Sequence, residues 1–148
     1  RQAPDWQVLV VIATSFGIGA ALQKSGAAAL FAGQLVGLAG GAPMITLIIV
    51  FVLTALLSAV ATNNVAAVLA FPVALAAAGD MGLSVLPFAI TIMIAASASF
   101  ATPIGYQTNL MVYNAGGYRF ADYLRAGLPL TLLVGLITVL VVPLVWPF

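Results

Sequence analysis

Long apolar runs separated by short polar interruptions fill this sequence. The first run, residues 6–22, is long enough for one helix across a hydrocarbon core of about 30 Å, which takes about 20 residues at 1.5 Å each. Trp6 stands at its start as an interfacial anchor, and Lys24, Ser25 and Gly26 close it. Residues 27–39 predict a second helix, interrupted by Gly33 and Gly37 and too short to span, which places it in or near the interface. Gly40, Gly41 and Pro43 then punctuate a new start. Residues 43–79 form two apolar arms, Pro43 to Ala61 and Val65 to Gly79, around the polar turn Thr62-Asn63-Asn64. Leu86 or Pro87 opens a helix to Phe100, about 21 Å long and short of a full crossing. It breaks at Thr102-Pro103-Ile104-Gly105-Tyr106-Gln107-Thr108-Asn109, and Leu110 to Ala115 completes a broken span over residues 86–115. Residues 118–126 mix Arg119, Asp122 and Arg125 with Phe120, Tyr123 and Leu124 as an amphipathic interfacial segment, and residues 128–146 are the last span.

Composition turns this pattern into a class. Of 148 residues 64% are hydrophobic and 5% charged, whereas a soluble domain is roughly 25% charged. Mean hydropathy is +1.25. There is too little polar surface to coat a water-soluble fold, so an integral membrane protein is expected. Strands of alternating polarity, the mark of a barrel, are missing, which leaves an all-α architecture whose helices satisfy their own backbone groups in lipid.

The seven charges are Arg1, Asp5, Lys24, Asp80, Arg119, Asp122 and Arg125, for a net charge of +1. No basic cluster exists to hold nucleic acid. Without Cys or His, disulfides, thiolate chemistry, zinc sites of those residues and imidazole catalysis are excluded, and three Asp with no Glu leave little for hydrolysis. No enzyme activity and no resident cofactor are expected. The chain opens at Arg1 without a signal pattern and closes on Pro-Leu-Val-Trp-Pro-Phe, the expected end of a longer protein whose upstream part would be a partner half.

Polarity is concentrated where helices stop. Asn63, Asn64 and Asn109 sit in the two breaks and Asn114 just beyond. One reading of residues 62–64 is an aqueous loop between two ordinary spanning helices; the other is the tip of a re-entrant hairpin, where irregular backbone lines a protein cavity. At such a tip the first arm offers carbonyls to a cation, and the second begins with free N–H groups and a positive dipole end suited to an anion. The second break resembles the first in chemistry. Pro103 disfavours helix at Thr102 and Gly105 frees the backbone, so the carbonyls near Ala101 and the side chains of Thr102, Gln107, Thr108 and Asn109 become available. A proline kink held by a neighbouring helix is the alternative. Ser97 and Ser99 read as packing residues, and Asp80, beside Gly79 and Gly82, as a solvated turn residue.

The run Leu57-Ser58-Ala59-Val60-Ala61-Thr62-Asn63-Asn64, with Pro72 after it, and the run Ala101 to Asn109 resemble the divalent anion:sodium symporter family. These are the permeases related to the sodium-coupled dicarboxylate, citrate and sulfate carriers. Gly116-Gly117-Tyr118-Arg119-Phe120-Ala121-Asp122-Tyr123 followed by Gly127-Leu128-Pro129 is similar to the family's bacterial branch. The resemblance implies one transporter inverted repeat, the C-terminal one, with a re-entrant helical hairpin and a broken transmembrane helix. It implies sodium as coupling ion, held by Ser58, Ala61, Asn63 and Ala101, and an anion lined by Asn63, Asn64, Thr102 and Pro103. The family's Ser-Asn-Thr tip is matched by Thr62, Asn63 and Asn64, so Asn64 departs from the family's Thr and implies an altered anion site.

The expected function is therefore sodium-coupled symport of a divalent anion (dicarboxylate, citrate or sulfate) by an elevator movement, in a homodimer within the bacterial cytoplasmic membrane. An arsenite or sodium/proton carrier and a non-transporting anchoring subunit are the rival readings. Arg1, Arg119 and Arg125 against Lys24 put the first three on the cytoplasmic side, which places the C-terminus outside.

Overall fold

A computed structural model describes residues 6–148. Arg1 and Asp5, the first of which counts in the charge-based topology, lie outside the described residues, as do the side chains of Trp6, Gln107 and Asn114. The described residues form seven helices and no strand: α1 (Trp6–Lys24), α2 (Ala27–Leu38), α3 (Pro43–Val60), α4 (Asn63–Met81), α5 (Leu86–Ser97), α6 (Gln107–Ala115) and α7 (Phe120–Val145). The protein is all-α, and among the described helices α3, α4 and α7 are long and apolar enough to cross a membrane.

Local chemistry explains the punctuation. Gly40 and Gly41 take φ of 58° and 73° to turn α2 into α3, which starts with Pro43 in its first turn, where a missing N–H does no harm. Gly82 closes α4 at φ 65°, with Leu83 N–H donating to the Ala78 carbonyl at 2.9 Å. Only Ala61 and Thr62 separate α3 from α4, so the two form a helical hairpin. Thr62 caps α4 by accepting from Val65 N–H at 3.4 Å.

The hairpin packs against α5, with α1 and α2 against α4, and α7 across α3 and α5. Its core joins Leu47 and Val50 of α3, the alanines 70, 74, 77 and 78 of α4, and Phe88 and Ile92 of α5. That alanine stripe lets the backbones approach, which is how membrane helices associate when lipid is as apolar as their side chains. Outward, α7 presents Leu132, Leu136, Leu140 and Leu144, all more than half exposed, one per turn and without a polar residue among them.

The structure moves several boundaries. Residues 118–126 and 128–146 are not separate elements: α7 runs unbroken through Pro129, and Arg119 and Asp122 form its cap, Arg119 N–H donating to Asp122 Oδ2 at 2.8 Å. Proline removes one helical hydrogen bond, a loss that helices in a membrane tolerate where neighbours support them. The second break is longer and earlier than its proline indicates, since α5 stops at Ser97 and α6 already starts at Gln107. Asp80 lies in the last turn of α4, exposed, rather than in the turn after it. Asn63 and Asn64 open α4 rather than preceding it, because Thr62 supplies the cap.

Candidate functional site

The hairpin tip and the second break meet, and each caps the other. A helix leaves its last carbonyls without intrahelical partners. Those of α3 are taken by hydroxyls of the second break: Ser99 Oγ donates to the Ser58 carbonyl at 3.1 Å and Thr102 Oγ1 to the Ala59 carbonyl at 2.6 Å. In return Ser58 Oγ donates at 2.6 Å to the carbonyl of Ala96, near the end of α5. The Asn63 carboxamide reaches across from the first turn of α4 to Ser58 Oγ and the Ala96 carbonyl, each 2.9 Å away, and to the Gly105 carbonyl at 3.2 Å. All three accept hydrogen bonds, and with its nitrogen on that side the amide donates to them.

Gly105 makes this approach possible. It is buried, and a Cβ there would collide with Ser99 Oγ and the Ser58 carbonyl. Behind it, Gly105 N–H donates to Thr102 Oγ1 at 3.3 Å, and Asn109 Nδ2 donates to the Ser99 and Thr102 carbonyls at 3.0 and 3.2 Å. Tyr123 OH donates to the Asn109 carbonyl at 2.9 Å and Thr131 Oγ1 to the Ala98 carbonyl at 3.2 Å, tying the break to α7. Gly127 lets α7 lie directly on the backbone of Phe100 and Ala101.

Of the residues singled out in the sequence, Ser58, Asn63, Thr102, Gly105 and Asn109 come together in one network. Pro103 is buried, and Ala61 carries the chain out of α3, its N–H donating to the Leu57 carbonyl at 2.8 Å. The Cα of Ala101 lies against Gly127, and the carbonyls within hydrogen-bond reach of the Asn63 amide are those of Ala96 and Gly105. Asn64 points elsewhere, lining with Thr62 a cavity of ≈ 200 Å³ between α4 and the Thr14 and Ile18 positions of α1. Thr108 is exposed.

Ala96 and Ser99 were not legible as site residues. Ser99 is 3% exposed and joins the network rather than merely packing, and the Ser97-x-Ser99 pattern ahead of Thr102-Pro103 is the one signal, since serine competes for backbone where helices end.

Ser58 Oγ and the carbonyls of Ala96 and Gly105 are thus three neutral oxygens gathered around the Asn63 carboxamide, and neutral oxygens are the donor type that a hard cation takes. Among the described residues no cluster of three His, Cys, Asp or Glu exists to hold a transition metal. Toward an anion the same tip offers the N-terminus of α4 and the amide of Asn64.

Comparison with known proteins identifies the family. The family model described as CitMHS, citrate transporter, matches residues 2–148. An uncharacterized transporter of Synechocystis is 43% identical over 142 residues, covering 95% of this chain and 23% of that protein. Sodium/sulfate cotransporter 1 of Chlamydomonas reinhardtii is 40% identical over 131 residues, 87% of this chain and 15% of its own length. Solute carrier family 13 member 2 of Mus musculus is 25% identical over 134 residues, 90% of this chain and 23% of its own length. The chain spans less than a quarter of each of these relatives, which are transporters by name and not enzymes. The family match takes in both polar breaks and the whole hairpin, and its relatives are those the divalent anion:sodium symporter resemblance implies; the chain belongs to the citrate transporter family.

Proposed function

We propose that this chain provides one half of the binding site of a sodium-coupled symporter for a divalent anion, a dicarboxylate, citrate or sulfate. The observation that carries the reading is the convergence of oxygens from two helix breaks, Ser58 and Asn63 with Ala96 and Gly105, without one charged side chain. Sodium is the coupling ion that neutral oxygens fit. The names of the relatives support both sodium and sulfate, and the family's description supports citrate. No Lys or Arg lies between residues 25 and 118, so this half offers an anion only the dipole end of α4, amides, hydroxyls and the charge of bound sodium.

The site belongs at mid-membrane on this reading, with α7 as a ruler of about 39 Å. Tyr123 pairs with Asn109 near one end, and Phe148, just past the other end, packs tilted against Phe88 with ring centroids 5.8 Å apart. The breaks lie level with Gly127 and Thr131, about 10 to 17 Å into that helix. A connection at that depth supports a re-entrant hairpin, although α3 and α4 are each long enough to cross. Ser58, Ser99 and Thr102 stitch α3 to the second break and Thr131 stitches that break to α7, which supports an elevator cycle in which these helices carry the site together. Placement in a bacterial cytoplasmic membrane with the C-terminus outside, and assembly as a homodimer with the anion site completed by an upstream half, belong to the same reading.

Uptake of sulfate, succinate and citrate into proteoliposomes by the full-length protein, with and without a sodium gradient, tests it. Accumulation of one of these anions driven by sodium is the expected outcome; uptake of none, or uptake indifferent to sodium, overturns it.

A further inference from the structure

Three tyrosines cluster where α6 turns into α7. Tyr113 and Tyr123 have ring centroids 6.0 Å apart, and the Tyr118 ring meets that of Tyr123 edge-on at 6.1 Å. The turn is shaped to bring Tyr118 there: Gly117 takes φ of 64°, Tyr118 N–H donates to the Tyr113 carbonyl at 3.2 Å, and a Cβ at Gly116 would collide with the Tyr118 ring. Tyr118 is still 52% exposed, and with Tyr123 and Asp122 it lines a pocket of ≈ 370 Å³. Neither the sodium site nor the anion site proposed above uses this pocket. Its chemistry falls into two parts. Tyrosine rings attract an organic cation, and Asp122 Oδ2 accepts from a neutral backbone N–H, so the carboxylate charge can still serve that cation. Arg119 and Arg125, both exposed and each three residues from Asp122, put positive charge beside the negative. The rest of the lining is apolar, with Phe100, Val112 and Leu130, the last two 45% and 43% exposed.

We propose that this pocket binds a zwitterionic phospholipid, its ammonium among Tyr118, Tyr123 and Asp122, its phosphate toward Arg119 and Arg125, and an acyl chain over Val112 and Leu130. Charge complementarity selects this ligand: carboxylate with tyrosine rings for the ammonium, guanidinium for the phosphate, and an open apolar floor for the chain. Its place fits as well. The pocket lies along the first turns of the spanning helix α7, near the end where tyrosines and headgroups meet. Phe100 and Asn109, which also line it, belong to the second break, and Tyr123 OH holds the Asn109 carbonyl at 2.9 Å. A seated headgroup therefore touches the support of that break.

The test is native mass spectrometry of the full-length protein in detergent with equal amounts of phosphatidylethanolamine and phosphatidylglycerol, which share the phosphate and the chains but not the ammonium. Wild type is expected to retain phosphatidylethanolamine about two- to fivefold over phosphatidylglycerol, the size of one exposed cation–π contact. Tyr118→Leu and Asp122→Asn, both at exposed positions, should each bring that ratio toward one, and Asn at 122 keeps an acceptor for the helix cap. Tyr118→Phe keeps the ring and should keep the preference. No preference in wild type overturns the proposal, and an upstream segment seated in the pocket would give that result. A preference that survives both Tyr118→Leu and Asp122→Asn overturns it too. Water-soluble phosphoethanolamine at the same concentration is expected to leave the lipid in place; displacement would mean that the pocket takes a free ammonium compound and not a lipid.

Discussion

Thr102 Oγ1 lies 2.6 Å from the carbonyl oxygen of Ala59, 43 residues away in sequence, and closes the last turn of α3 from the second helix break. The same oxygen accepts from Gly105 N–H, so one hydroxyl holds the hairpin tip and orients the backbone whose carbonyl faces Asn63. Position and chemistry are coupled here.

Thr102→Val keeps the shape and removes both bonds. Leaving a buried carbonyl without its donor costs about 1–3 kcal/mol, and the part-buried Ala59 carbonyl loses no more than that. The melting temperature of the full-length protein is expected to fall, and the sodium concentration for half-maximal uptake to rise as the Gly105 carbonyl loses its alignment. A variant with wild-type stability and sodium dependence would show the contact to be idle.

Gly105→Ala places a methyl group on Ser99 Oγ and the Ser58 carbonyl. Backbone must shift to admit it, at about 1–3 kcal/mol, and sodium-driven uptake is expected to be lost. Gly33→Ala is the control, because nothing lies within 4 Å of its added Cβ; in mid-helix it should be neutral or stabilising by about 0.5–1 kcal/mol. Thermal unfolding and uptake on the two variants separate a close-approach glycine from an incidental one.

Asn64 stands apart from the oxygen network, so its effect should be confined to the anion. Asn64→Thr restores the hydroxyl of the resembled family and is expected to shift preference between sulfate and dicarboxylates without changing the sodium concentration for half-maximal uptake. Competition assays on proteoliposomes measure both quantities. A changed sodium dependence with unchanged selectivity would reverse the assignment.

Single cysteines at Val60 and Val65 test the depth of the hairpin, since both are exposed beside the tip and this segment has no native cysteine. A re-entrant hairpin predicts labelling by a membrane-impermeant reagent from the outer face alone in the outward-facing state. Labelling from the cytoplasmic side in that state would mean that α3 and α4 cross fully.

What the sequence determined by itself follows from local rules. A charge content of 5% and runs of about 20 apolar residues permit only membrane helices, and Pro43, Gly40-Gly41, Thr62 and Gly82 set helix ends through φ preferences and capping that act within a few residues. Asn63, Thr102 and Asn109 stood out because polar side chains are rare in such a chain and sat where helices had to stop. Tertiary structure decided the rest. Whether Pro129 ends a helix depends on what surrounds it, and α7 runs through it. Which carbonyls face Asn63 depends on how α3 and α5 cross, a long-range matter that places Ala96 and Gly105 there and turns Ala101 toward Gly127. A backbone carbonyl has no sequence signature, because every residue carries one. Only the packing of two helix ends against each other can select the few that face Asn63.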